Sequence, residues 1–270
     1  MSREAWIGLI AAVCLIGGLV AYRYLQNQPG PAVAVTAPPS AAPDAAPKIQ
    51  YPVPAAAPDA AEPPLPTMNA SDVAIRSDLS QLFGALFIDS MLIPKRVIQN
   101  FVATVNSLDG QIVPLRLWPL VHVPKLTVVE TSADGIVLAA DNAKRYTPYI
   151  AALQAFDMQA AVKIYQRYYP LLQQAYVELG YPDRYFNDRL INVLDHLLAT
   201  PVVKGPIKLV QPKVLYEYAD FKLEKLSSGQ KLLIRMGPDN AAVVKTRLKQ
   251  IRDALVLASV QDSQSVNRTQ

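Results

Sequence analysis

Thiols, imidazoles and glycines are all scarce in this sequence. One cysteine, two histidines and 11 glycines in 270 residues leave no material for a disulfide scaffold, a multi-cysteine zinc site or a glycine-rich nucleotide cradle. The single thiol, Cys14, lies inside an apolar run near the start, so a cysteine nucleophile is excluded from the rest of the chain. No HExxH, GxSxG or Walker-type loop occurs, which removes the motif-borne metalloprotease, serine hydrolase and P-loop chemistries. Charge is thin as well, at 18% of residues. Beyond residue 67, 23 basic residues face 18 acidic ones, without the Lys/Arg stripe interleaved with aromatics that marks a nucleic-acid module. No nucleic-acid partner, cofactor or metal is expected.

Proline and alanine, by contrast, are concentrated. Twelve of the 23 prolines and 12 alanines fall between Pro29 and Pro66. Proline at this density blocks helices and sheet ladders and favours extended polyproline II. Residues 29–67 therefore read as a disordered spacer, up to about 115–120 Å long when extended. Before it, residues 1–28 form an anchor segment. The 18 uncharged residues Ala5 to Tyr22 would span about 27 Å as a helix, close to a bilayer's hydrocarbon thickness. Trp6 at one end and Tyr22 and Tyr24 at the other suit the two interfaces. Bulky Tyr22, Tyr24 and Leu25 stand where a signal-peptide cleavage site would need small residues. The reading is an uncleaved transmembrane helix over about residues 5–25, with its N-terminus cytoplasmic and the rest periplasmic. The lipid bilayer is then its first partner. Gly8 and Ala12 make a small-xxx-small pair that ordinary composition also explains.

Residues 68–258 carry the pattern of a folded domain, followed by a tail, 259–270, expected to be disordered. Ser71 or Asp72 is placed to cap a helix carrying Val73, Ile75, Leu79, Leu82 and Phe83. Pro94 suits the first turn of another helix, through Val97, Ile98, Phe101, Val102 and Val105. Leu126–Glu130 and Ile136–Leu138, separated by Asp134-Gly135, predict a hairpin. Thr147-Pro148 opens a helix to Phe156, and Asp157 caps a longer one with Val162, Tyr165, Tyr169, Leu172 and Tyr176 on one stripe. Pro170 is expected to kink or divide it, and Gly180 to stop it. Further helices are predicted at 183–199, 220–226, 229–236 and 239–258, with short strands at 207–210 and 213–218. The fold class is α+β: one mainly helical globular domain with one or two short β-hairpins.

Candidate functional residues are few. His122 and His196 read as structural or surface groups, because Asp195 and His196 are neighbours that point apart on a helix. Glu178, Asp188, Glu217 and Glu224 lie near apolar or aromatic stretches, where two carboxylates brought together by folding could act on a glycan. Ten of the 13 tyrosines fall between 146 and 218. Tyr169, Tyr176 and Tyr181, with Glu178, form one candidate surface, because tyrosine offers an apolar face and a polar tip. Periodicity equally assigns Tyr165, Tyr169 and Tyr176 to the core. Lys245, Lys249 and Arg252 line one face of the last helix, a solvated face or a contact for anionic lipid or wall polymer. Arg235 and Asn240 flank the Gly237-Pro238 turn, whose backbone N–H groups could meet an anion or simply be capped.

Several strings carry a family resemblance. Tyr168-Tyr169-Pro170-Leu171-Leu172 runs on to Ala175-Tyr176-Val177-Glu178-Leu179-Gly180-Tyr181. Beyond it lie Leu197-Leu198-Ala199-Thr200-Pro201, Val214-Leu215-Tyr216-Glu217-Tyr218-Ala219-Asp220 and Gln230-Lys231-Leu232-Leu233-Ile234-Arg235-Met236-Gly237-Pro238. Together they resemble the bacterial family called domain of unknown function 3014, over residues 75–256. The resemblance implies a membrane-tethered envelope protein of a Gram-negative bacterium and carries no activity, cofactor or site residue. The resulting expectation is an inner-membrane, single-pass protein whose periplasmic domain binds an envelope protein or peptidoglycan. The alternative is a carboxylate-dependent hydrolase or lyase acting on cell-wall glycan.

Overall fold

Apolar side chains recurring every three or four positions organise most of the chain into helices. The computed structural model describes residues 49–54, 63–124 and 126–268. Among these described residues nine α-helices follow in order: α1 (Ser71–Phe83), α2 (Ala85–Met91), α3 (Val97–Ser107), α4 (Thr147–Ala155), α5 (Met158–Glu178), α6 (Phe186–Leu198), α7 (Phe221–Glu224), α8 (Ser228–Arg235) and α9 (Pro238–Arg268). Four strands, β1 (Val129–Ser132), β2 (Gly135–Leu138), β3 (Lys208–Val210) and β4 (Glu217–Tyr218), pair antiparallel in the order β1-β2-β3-β4. The expected hairpins are thus joined into one sheet, through Ile136 opposite Leu209 and Val137 opposite Lys208.

Helices α3, α5 and α6 supply the centre of the core. Ile98, Val102, Tyr168, Tyr176, Phe186, Ile191 and Val193 are all essentially inaccessible to solvent. Complete burial of each aliphatic or aromatic chain stabilises the fold by about 1.5–3 kcal/mol. A smaller cluster of Leu209, Tyr218 and Ile234 fixes the sheet to α8. Arg189 ties α6 to the end of α3, with both terminal nitrogens on the Asp109 carboxylate at 2.7 Å and Nε on Asn106 Oδ1 at 2.9 Å. That guanidinium holds the Asp109 carboxyl below the usual aspartate range.

Several local expectations change in the fold. Gly84, at φ +88°, separates α1 from α2, a helix the periodicity did not reveal. Helix α3 begins at Val97 rather than Pro94, after Arg96 in the left-handed region. Asp72 caps this helix instead of its own, its two oxygens accepting the N–H groups of Arg96 and Val97 at 2.8 and 2.9 Å. Pro170 does not divide α5, which is continuous over 21 residues. Its ring is exposed while Tyr168, Tyr169, Leu171 and Leu172 are buried around it, and that packing outweighs the single lost ladder bond. Asp157 does cap α5, accepting from the Ala160 N–H at 2.6 Å. Helix α9 continues to Arg268, so residues 259–268 are helical where an irregular tail was expected. No glycine or proline follows Pro238 to end the helix.

The expected membrane anchor at 5–25 lies outside the described residues, as do residues 29–48 and 55–62 of the spacer. Among the described residues no helix is long and apolar enough to cross a membrane. Residues 49–54 depart from the spacer expectation and pack against the core.

Candidate functional site

The first turn of α6 needs partners for its free N–H groups, and α5 supplies them. Gln173 Oε1 accepts from the Phe186 N–H at 2.8 Å, and the Tyr169 hydroxyl oxygen accepts from the Asn187 N–H at 3.3 Å. Gln173 Nε2 in turn donates to the Arg184 carbonyl at 2.9 Å. With its backbone satisfied from below, this turn is free to direct Tyr185, Asn187 and Asp188 at the incoming segment 49–54.

That segment is read through its main chain. The Asp188 carboxylate accepts the Gln50 N–H at 3.0 Å and the Tyr51 N–H at 2.9 Å, one on each oxygen. The Tyr185 hydroxyl oxygen accepts the Val53 N–H at 3.1 Å. Asn187 Nδ2 donates to the Tyr51 carbonyl at 2.9 Å, while its Oδ1 accepts from the Tyr165 hydroxyl at 2.9 Å. Residues 52 and 54 are prolines and have no N–H to satisfy. Every backbone donor from 50 to 54 is therefore either bound or absent. The tyrosines behind the cleft are held neutral. Burial pushes the hydroxyls of Tyr165 and Tyr169 well above the ordinary range, reinforced at Tyr165 by Tyr185 and Asp188, and at Tyr169 by the hydrogen bond to Tyr185. They act as hydrogen-bonding struts, Tyr165 toward Asn187 Oδ1 and Tyr169 toward the Asn187 N–H.

The residues singled out from the sequence do not form one surface. Tyr169 and Tyr176 are buried; Tyr176 stacks on half-buried Tyr181, with ring centroids 4.8 Å apart and planes 15° apart. Tyr181 is fixed by Asn106 Nδ2, which donates to its hydroxyl oxygen at 3.2 Å. Glu178 is exposed and accepts from Gln174 Nε2 at 2.8 Å. Arg235 lies elsewhere, its guanidinium 5.7 Å from the centre of the Tyr218 ring, and burial pushes the Tyr218 hydroxyl up to about 12. Asn240 turns back to donate to the Ala143 and Met236 carbonyls at 3.1 and 2.9 Å. The basic face of α9 is engaged throughout: Lys245 donates to the Thr200 carbonyl, Lys249 pairs with Asp253, and Arg252 pairs with Asp195 on α6.

The other chemical candidates are similarly occupied. His196 Nε2 is 2.8 Å from Ser227 Oγ, beside the Ser227–Gln230 capping box of α8. His122 stacks on Trp118 at 5.3 Å. Glu224 accepts from Lys231 Nζ and from the Tyr218 N–H, both at 2.8 Å. Burial raises the Glu224 carboxyl, but those two hydrogen bonds outweigh it and bring the group below its usual range. Asp188 serves the segment described above, and Glu217 is exposed on β4. Among the described residues, no group of three or more His, Cys, Asp or Glu side chains could hold a metal ion.

Sequence reasoning named Asp188 and counted Tyr185 among the ten clustered tyrosines, but missed Asn187 and the segment they bind. The signal was present. Tyr51 and Val53, both half-buried, alternate with Gln50, Pro52 and Pro54 in a stretch otherwise dominated by alanine and proline, the period-two spacing of an extended segment.

No curated protein and no solved structure matches the chain. A family model described as a protein of unknown function, DUF3014, matches residues 97–252. The match takes in α3 to the first half of α9, including the α5–α6 cleft, and leaves the bound segment 49–54 outside it. It spans more than half of the 270 residues, and the chain belongs to that family.

Proposed function

We propose that this chain is a binding module of the bacterial cell envelope, held in the inner membrane by residues 5–25 with its folded domain in the periplasm, and that it engages a protein partner. The observation supporting this reading is the α5–α6 cleft. Asp188, Asn187 and Tyr185 meet successive main-chain groups of an extended segment, a pattern suited to polypeptide more than to glycan. The chain's own residues 49–54 fill the cleft, so a partner's extended segment must displace them. Its apparent affinity is reduced by the fraction of time the cleft is closed.

The test uses the full chain with residues 49–54 replaced by Gly-Ser repeats, titrated with a fluorescent peptide of sequence KIQYPVPA. Saturable binding is expected, weakened about tenfold or more by Asp188→Ala. Absence of binding by the vacated cleft would overturn the peptide reading. In cells, crosslinking should recover a specific envelope protein more efficiently with the vacated chain than with the native one. A C-terminal reporter active only in the cytoplasm would overturn the placement of the domain.

A further inference from the structure

A cavity of about 320 Å³ lies among α3, α5, α6 and α9. Phe101 and Val105 come from α3, Ala161 and Tyr165 from α5, Val193 from α6 and Ile251 from α9; the remaining walls are aliphatic apart from the Met158 thioether. The one hydroxyl among these residues, on Tyr165, is spent on Asn187 Oδ1. The buried polar side-chain atoms left without a hydrogen-bond partner, Gln99 Oε1 and Trp118 Nε1, belong to no lining residue. Nothing on the walls can hold water, which needs two to four polar partners.

Native cores seldom keep voids larger than a water molecule, and an apolar void of about 150 Å³ already accepts benzene. Scaled from six carbons in that volume, this cavity has room for about a dozen, at the lower end of the range for small-ligand sites. Ala161, Val162, Leu248 and Ile251 are only half-buried, which places an entrance along the seam between α5 and α9. Two aromatic rings among otherwise aliphatic walls favour a flexible hydrocarbon over a flat ring system. We infer that the cavity is a binding site for a single acyl chain of about twelve carbons. This site is independent of the peptide cleft, although Tyr165 contributes its ring to one and its hydroxyl to the other.

The test is photolabelling of the full chain in cells with a diazirine analogue of dodecanoic acid, followed by mapping of the labelled peptides. Label is expected in peptides of α5 and α9, competed by unlabelled dodecanoic acid. It should fall about tenfold when Val193→Phe, or the entrance substitution Ala161→Trp, fills the space. A parallel arm with a diazirine phosphatidylglycerol separates the sources. Labelling by the fatty acid alone identifies a free acid, and labelling by both identifies a lipid acyl chain. No label in α5 or α9 in either arm, or labelling unchanged in a filled variant with native circular dichroism, would overturn the inference. Both variants leave Asp188, Asn187 and Tyr185 intact, so the peptide titration reports separately on the cleft.

Discussion

At its first turn, helix α6 offers Asn187 and Asp188 to a bound extended segment, and every polar group there has a partner. Over the following two to three turns, the same helix offers Leu190, Val193, Leu194 and Leu197 to an apolar cavity. The first region is specified by hydrogen bonds, which fix direction and register. The second is specified only by the shape and chemistry of its walls. Directional groups select one partner geometry, whereas an aliphatic wall accepts any apolar occupant that fits. Among the described residues, the segment 49–54 lies in the first site, where its main-chain groups find matching partners.

Five changes would sharpen or break this comparison. The largest effect is expected from Phe186→Ala, at the fully buried junction of α3, α5 and α6, where the ring meets Phe101 and Tyr176. Urea unfolding should show a loss of about 3–5 kcal/mol. Val193→Phe, on the cavity side, should instead be near-neutral because the added ring has space. A loss comparable to ordinary overpacking, about 1–3 kcal/mol, would show that the walls cannot yield and that the cavity is not usable volume.

Gly229→Ala comes next. A Cβ there would lie 2.5 Å from Leu197 Cδ2 and 2.9 Å from the Leu108 carbonyl oxygen, where the backbone of α8 hydrogen-bonds the loop after α3. A loss of about 1–3 kcal/mol is expected in the same unfolding measurement.

Asp188→Ala should act locally. Hydrogen exchange at Tyr51 and Val53 should lose its protection, while global stability falls by no more than about 1 kcal/mol, because the segment lies at the domain's edge. Unchanged protection would show that packing of Tyr51 and Val53, rather than the carboxylate, holds the segment.

The smallest effect is on the pH profile. Asp109 has a folded pKa below its unfolded value of about 3.9, chiefly through the Arg189 hydrogen bonds. Its contribution to stability is therefore complete above the unfolded value and disappears as pH falls through the depressed folded one. Glu224 is shifted in the same direction. Asp109→Asn should flatten the acid limb of stability against pH without removing it, read from urea midpoints between about pH 2 and 5.

Much of the helical framework was legible because its signals are local. Asp157 caps α5, Pro148 stands in the first turn of α4, and Gly180 takes φ +108° just past the end of α5. Each acts within a turn of its own position. What escaped depends on partners distant in sequence. Asp72 caps a helix that begins 25 positions later. The hairpins become one sheet through pairing of Ile136 with Leu209, which no local pattern announces. Helix α2 is seven residues long, too short for periodicity to distinguish. Asn187 gains its role only because folding brings Tyr165 and Tyr51 to opposite ends of its amide. The cavity was invisible for a related reason: its walls are ordinary apolar helix positions, and only their three-dimensional spacing leaves a space between them.

The docking of residues 49–54 also sets a concentration. With the segment bound, 20 residues, 29–48, connect the proposed anchor to the domain, a span of at most about 70 Å. Released, the connection grows to 34 residues, 29–62, and the limit to about 120 Å. Under the proposed membrane tether, the volume open to the domain would scale roughly as the cube of that radius, so docking of the segment on Asp188, Asn187 and Tyr185 would confine it to about a fifth of the released volume. Membrane-bound partners near the anchor would then meet the domain at about five times the effective concentration, while those farther from the bilayer would be reached only after the segment lets go.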